Sequence, residues 1–252
     1  MELWLVISAA FLAGIVYAMV GGGGLVTVPA LLTTYPNTAP ALLLGTNKCS
    51  SVFGTAVAAW RYGRHVRLDW AWLAPAALAA LIGSGLGAWT LTWTDPEFLR
   101  KLLPWILLLV LFYTLRYPQF GLSRITTSHS VRQRFLIAVA IGASIGWYDG
   151  FFGPGTGSFF IFLLVRWLGQ DFLHASASAK VLNATTNLAA LVMLAATGHV
   201  WWQVGLMMAA ANVAGSLLGT ALALKHGAQL VRRVFMLVVA VLIIRTAWLA
   251  YF

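Results

Sequence analysis

Charge is what this chain has least of. Of its 252 residues only 9% are charged and 61% are hydrophobic, whereas soluble domains carry about 25% charged residues. That excludes an ordinary soluble domain. Acidic residues are scarcer still, six against sixteen Lys and Arg, for a net charge of +10. With a single cysteine, Cys49, no intrachain disulfide can form. No H-E-x-x-H, no C-x-x-C and no nucleotide-binding glycine motif before a lysine occurs, and His65, His129, His174, His199 and His226 are scattered. No metal and no cofactor is therefore expected. Long polar segments are missing too. The longest, Tyr117 to Arg134, reads as a linker.

What remains is apolar sequence in about eight stretches of roughly the 20 residues a membrane span needs. The expected fold is an all-α integral membrane protein. The basic residues fall mostly in the loops between spans, where anionic lipid headgroups and the positive-inside rule account for them and nucleic acid does not. The start, Met1 to Gly14, has no basic region and runs into a glycine-rich segment, so it reads as a first span and not as a cleaved signal. Several tryptophans, among them Trp60, Trp70, Trp93, Trp167, Trp201, Trp202 and Trp248, stand at expected span ends, where interfacial belts form.

The sequence repeats itself at an offset of 132 residues. Gly14 corresponds to Gly146, Gly21 to Gly153, Lys48 to Lys180, Gly83-Ser84 to Gly215-Ser216 and Arg100-Lys101 to Arg232-Arg233. This gives a first repeat over 1–116, a linker over 117–131 and a second repeat over 132–252, with about four transmembrane helices in each. The spans read as Leu3–Val20, Ala41–Trp60, Trp70–Trp93 and Leu99–Leu115, then Phe135–Phe152, His174–Thr197, Trp201–Leu224 and Leu230–Tyr251. Two short apolar pieces, Leu25–Thr33 and Ser158–Trp167, follow the first span of each repeat. An even number of spans implies repeats of the same orientation, and counting the short pieces as crossings would invert them; the residues leave this open. By the even count, Arg61, Arg64, Arg67, Arg116, Arg124, Arg132 and Arg134 share a side with both termini. Arg100, Lys101, Arg166, Lys225, Arg232 and Arg233 take the other. That near balance leans to termini inside. The G-x-x-x-G spacings at Gly83, Gly87, Gly215 and Gly219 are assigned to close helix packing.

Each repeat breaks its first helix with glycine, at Gly21-Gly22-Gly23-Gly24 and at Gly153-Pro154-Gly155-Thr156-Gly157. Glycine and proline interrupt helices, and at membrane depth this is tolerated only where protein or a wet cavity satisfies the freed backbone. The N–H groups after Gly24 and Thr156 then form a potential anion site. Counting back from the following turn places the first break about 15 Å deep and Lys48 about 12 Å deep, with about 16 Å and about 10 Å for the second break and Lys180. A charge at that depth marks a substrate or ion pathway. Lys48, Ser51 and Thr55 share a helix face beside Asn47, and Lys180, Asn183 and Asn187 repeat the pattern. The candidate binding set is thus Lys48, Lys180, Asn47, Ser51, Thr55, Asn183, Asn187, Gly22, Gly23, Gly24, Gly155, Thr156 and Gly157. The competing reading lets the lysines snorkel and the hydroxyls bond back to their own helices. Asp149 is the one acid well inside a span. It either pairs with a lysine, carries a proton or caps the broken helix, and Tyr17 stands at its offset position. Cys49, next to Lys48, reads as a small hydrophobe.

At Gly21–Gly24 with Pro29, Gly45-Thr46-Asn47, Phe152–Gly157, Ala177-Ser178-Ala179-Lys180 and Thr186-Asn187, the chain resembles the sulfite exporter TauE/SafE family, also called the 4-toluene sulfonate uptake permeases. The resemblance implies a multi-pass permease of the bacterial inner membrane with seven or eight spans. It also implies sulfur-containing anions such as sulfite or organosulfonates as substrates, with proton coupling commonly proposed. The expectation is therefore a non-enzymatic secondary transporter of a small anion, working by alternating access in the lipid bilayer. A channel-like pore, a membrane-embedded enzyme and a structural subunit are the alternatives.

Overall fold

The computed structural model of the chain describes residues 2–35, 37–93, 105, 108, 112 and 129–251, and every regular element among them is helical. The expected span Leu99–Leu115, apart from Trp105, Leu108 and Phe112, lies outside the described residues, as does the linker up to residue 128. The helices are α1 (Glu2–Val20), α2 (Gly24–Thr34), α3 (Pro40–His65), α4 (Trp70–Leu91), α5 (Val131–Phe151), α6 (Thr156–Leu168), α7 (Phe172–Ala196) and α8 (Trp202–Tyr251), the last interrupted at Gly227.

Their starts follow local chemistry. Pro40 opens α3, where its missing N–H costs nothing. Asp69 caps α4 by accepting from the Ala71 N–H, and Asp171 caps α7 by accepting from Leu173 and His174. Ser130 and Gln133 form a reciprocal capping box at the head of α5. Among the described residues, α1, α4, α7 and the Trp202–Leu237 stretch of α8 are long and apolar enough to cross a membrane. The other two long helices are more polar: α3 carries the run Thr46 to Ser51, and α5 carries Arg134 and Asp149. Large apolar side chains such as Trp4, Leu5, Leu78, Ile82, Leu86, Val192 and Leu206 point outward, a surface suited to acyl chains and unsuited to water.

Contact registers fix the helix directions. Gly23 packs on Tyr17 and on the Ala13 carbonyl, and Leu31 shares an apolar cluster with Val6 and Ala10, so α2 folds back along α1. Thr27 meets Asn47 while Leu31 clusters with Leu43, so α3 turns again and runs parallel to α1. In the second half the Tyr148 ring meets Phe159, and Leu164 and Leu168 cluster with Ala138 and Ile141, which folds α6 back along α5.

The glycine spacings set the two closest crossings. A methyl group at Gly83 or Gly87 would lie 2.4 Å from the Ala143 carbonyl oxygen or 2.0 Å from that of Trp147, so α4 and α5 run parallel in tight contact. Gly215 and Gly219 meet the Phe11 and Ile15 carbonyls in the same way, placing α8 parallel to α1. Backbones approach this closely only where side chains are absent, which supplies the packing that apolar solvent does not drive. Ser84 donates to the Thr186 carbonyl, near the middle of both helices, and Leu73 clusters with Ala175 at one end while Ala88 clusters with Ala190 at the other; α4 is thus parallel to α7. By contrast, Leu44 clusters with Leu194, Thr55 meets Asn187, and Tyr62 and Ser176 bind the adjacent carbonyls of Ala18 and Met19, so α3 and α7 are antiparallel.

Helices α1, α3 and α8 therefore point one way, and α4, α5 and α7 the other. The sequence left open whether the short apolar pieces invert the second half; in the structure α1 and α5 run oppositely. The short helices α2 and α6 reverse the chain and change the parity. One expectation is corrected. Arg61, Arg64, Arg67, Arg132, Arg134, Arg166 and Lys225 all lie at one end, where α3 and α6 finish, α5 begins and the first stretch of α8 finishes. The described start of the chain lies at the opposite end, so it does not share a side with Arg61, and Arg166 and Lys225 do.

Candidate functional site at the crossing of two glycine breaks

Helix α1 stops at Val20 because Gly21 turns left-handed (φ 76°), its N–H still bonded to the Val16 and Tyr17 carbonyls at 3.0 and 3.1 Å. Gly22 and Gly23 complete the bend, and both are buried with Gly24. The second break is built differently. Phe152 and Gly153 donate to the Tyr148 carbonyl, Gly153 and Gly155 are left-handed (φ 89° and 82°), and the Thr156 hydroxyl donates back to the Gly153 carbonyl at 2.6 Å. Tyr148 donates to the Pro154 carbonyl at 2.6 Å, pinning the loop.

The two breaks cross each other. The Gly157 N–H donates to the Gly21 carbonyl at 3.2 Å, and a methyl group on either glycine would fall 2.3–2.4 Å from the other's Cα. The carbonyls at the end of α1 are each satisfied from elsewhere. Ala18 accepts from the Tyr62 hydroxyl (3.0 Å), Met19 from Ser176 (2.6 Å), Val20 from Ser158 (3.1 Å) and Gly21 from Gly157. A helix end left bare inside a bilayer would be costly, and this set of donors removes the cost. Sequence reasoning missed Tyr62, Ser158 and Ser176 in this role. The only available signal was polar side chains in apolar runs at matched depth.

The two lysines are not equivalent. Lys48 is 4% exposed, its Nζ 2.9 Å from Asp149 Oδ2, and it donates to the Asp149 carbonyl at 2.7 Å. It thus neutralises the acid and caps the end of α5, where the helix dipole is negative. Of the three roles open to Asp149, pairing with a lysine is the one this contact shows. The Asp149 carboxylate captures Lys48. Lys180 is fully buried, and its Nζ has no hydrogen-bond partner among the described residues. At the position offset from Asp149 stands Tyr17, whose hydroxyl accepts from Ser51 at 2.9 Å and supplies no charge.

The remaining candidates divide. Asn47 accepts from the Thr27 hydroxyl, and Asn187 donates to Thr55 at 3.5 Å, while the Thr55 hydroxyl bonds back to the Ser51 carbonyl at 2.7 Å. Asn183 is buried with its Nδ2 unpartnered, and a methyl group on Gly157 would meet that Nδ2 at 2.6 Å. Asn183 thus sits against the crossing, one turn along α7 from Lys180. Gly155 and Thr156 form the head of α6, whose Gly157 N–H is already engaged by Gly21 and is not free for a ligand. Gly24 lies near Pro154 and the Asn47 amide, each 3.9 Å from where a methyl group on Gly24 would stand. Cys49 is buried against Gly205 as a small packing residue. Among the described residues no group of three or more His, Cys, Asp or Glu could hold a metal.

A lipid-facing helical bundle with two broken helices meeting at its centre beside buried charges belongs to the class of membrane transporters, where irregular backbone at membrane depth lines a substrate pathway. Comparison with known proteins agrees. The profile of the family described as "Sulfite exporter TauE/SafE" matches residues 6–246, and the chain belongs to that family. It is 35% identical to "Probable membrane transporter protein ORF9" of Sinorhizobium sp, over 94% of this chain and 89% of that protein. It is also 35% identical to a "Probable membrane transporter protein" of Haemophilus influenzae (88% and 85%) and 32% identical to "Probable membrane transporter protein YfcA" of Escherichia coli K12 (92% and 85%). No solved structure matches.

Proposed function

We propose that this protein is a secondary transporter of a small anion in the bacterial inner membrane, with a sulfur oxyanion or sulfonate as cargo. The observation that carries the reading is the Lys180 ammonium, without a partner among the described residues and one turn along α7 from the similarly unpartnered Asn183 amide, which lies against the crossing of the two breaks. Donors without acceptors, buried at the centre of a transporter, call for an anion. Lys48, Asn47, Ser51, Thr55, Asn187 and the backbone of Gly22–Gly24 and Gly155–Gly157 shape the surrounding wall.

The offset of 132 residues recurs in the helix starts Gly24 and Thr156, Pro40 and Phe172, Trp70 and Trp202. Thr55 and Asn187, themselves so related, touch; a residue that meets its own counterpart lies on the axis relating two copies. With α1 opposed to α5, this supports inverted repeats that rock about that axis to alternate access.

Proteoliposomes test the reading. Uptake of sulfite or methanesulfonate should saturate with concentration and compete between substrates. Flux that rises without limit would mean a pore, and saturable flux that ignores an imposed pH gradient would exclude proton coupling.

Orientation follows from charge. Seven basic residues gathered at one end mark it as cytoplasmic, so the Tyr35–Ala39 turn faces outward. In a Cys49→Ala background, Asn37→Cys should react with an impermeant maleimide on intact cells and His65→Cys only after lysis. The reverse pattern would overturn the orientation.

A further inference from the structure

The charged side chains buried in the membrane core do not balance. Among the described residues these are Lys48, Asp149 and Lys180, with Asp171 apart from them at the head of α7, 2.5 Å from His174. Lys48 and Asp149 form an internal ion pair at 2.9 Å, which leaves the Lys180 ammonium as a single excess positive charge. Among the described residues its one polar neighbour at the crossing with no partner of its own is the Asn183 amide, which is neutral. From this count we infer that the site selects anions by valence and takes a monoanion, such as a sulfonate or a hydrogen-sulfite ion, over a dianion of the same shape.

The physical reason is the cost of an uncompensated charge away from water. A monoanion beside Lys180 leaves the core neutral. A dianion leaves one negative charge unpaired, with no second free cation to meet it. Lys48 does not fill that role, because releasing it would strand Asp149 and remove the cap on the Asp149 carbonyl. The first-half position that could have supplied a second carboxylate holds Tyr17, so the arithmetic is built into the difference between the two halves. This inference rests on the anion-transport reading and sharpens it.

Methanesulfonate and sulfate differ by one charge at nearly constant tetrahedral shape, which makes them the probes. Binding to the full-length protein in nanodiscs, followed by calorimetry, should favour methanesulfonate by roughly tenfold or more. Asp149→Asn frees the Lys48 charge and should shift the ratio towards sulfate by a similar factor. Lys48→Met combined with Asp149→Asn restores a single positive charge and should restore the preference for methanesulfonate. Should Asp149→Asn fail to fold, the parent and the double variant still carry the test. Sulfate binding as tightly as methanesulfonate to the parent, or a double variant that prefers sulfate, would overturn the valence rule while leaving anion transport standing. A folded parent that binds neither probe and moves no sulfur anion would bring down the transport reading and this inference together.

Discussion

Lys180→Met is expected to abolish transport and, in the same protein, to raise the temperature of unfolding. The two effects have one cause. A charged side chain at the centre of a bilayer costs about 2.5–3.5 kcal/mol on insertion scales, and Lys180 has neither carboxylate nor hydrogen-bond acceptor among the described residues to offset that cost. Methionine fills a similar volume, removes the charge and relieves the penalty, so the unfolding temperature should rise by roughly 5–14 °C. An anion compensates the same charge when it binds, and losing an attraction of this size weakens binding by about 100-fold. A residue that destabilises the resting protein yet is needed for its activity is the pattern expected of a functional site. The measurement pairs substrate flux in proteoliposomes with thermal unfolding in detergent. Normal flux in a normally folded Lys180→Met protein would remove Lys180 from the site. A fall in unfolding temperature would mean that the amine has a structural partner. The matching change at Lys48 should behave oppositely. Lys48→Met strands Asp149, so stability should fall.

The second large effect is expected from Gly21→Ala. Two penalties combine there. The backbone is left-handed (φ 76°), which costs a residue with a Cβ roughly 1–2 kcal/mol. The added methyl would also lie 2.4 Å from the Gly157 Cα and 2.8 Å from its carbonyl carbon. These are backbone atoms of the other break and cannot swing aside, so the crossing must open at a further cost of about 1–3 kcal/mol. Gly198 is the internal control. It has nearly the same φ (75°) but nothing within 4 Å of its would-be methyl, so Gly198→Ala carries the first penalty alone. We expect Gly21→Ala to lower the unfolding temperature several degrees more than Gly198→Ala and to eliminate flux, with Gly198→Ala still active. Equal effects of the two substitutions would show that the breaks do not depend on close contact.

These two residues also show what could be read from the chain. Lys180 and Gly21 were both legible, because a charge or a glycine cluster stands out inside an apolar run and the two recur together at the same offset. The candidates Asn47, Ser51, Thr55, Asn183 and Asn187 follow from helical periodicity, which places them on common faces of α3 and α7. The partners of those faces were not legible. Thr55 bonds back to its own helix as well as meeting Asn187, and Asn47 is taken by Thr27, while Asn183 is left open. Such choices depend on side-chain geometry across helices with no fixed separation along the chain. Helix direction stayed open for a related reason. Parity counting needs to know whether a short apolar piece crosses or returns, and that is decided by whether Leu31 finds Val6 and Ala10 on folding back.

By itself the sequence determined that the chain is helical and membrane-embedded, where the backbone is interrupted, and that cations stand beside the interruptions. Each of these follows from local composition and spacing under the bilayer's demand for satisfied backbone. Only the tertiary structure decided that α1 and α5 run in opposite senses, that the breaks cross at Gly21 and Gly157, and that Asp149 takes Lys48 and leaves Lys180 without a partner among the described residues. Those outcomes turn on contacts between helices, in two cases between residues more than a hundred positions apart, where a shift of one helical turn would exchange one partner for another.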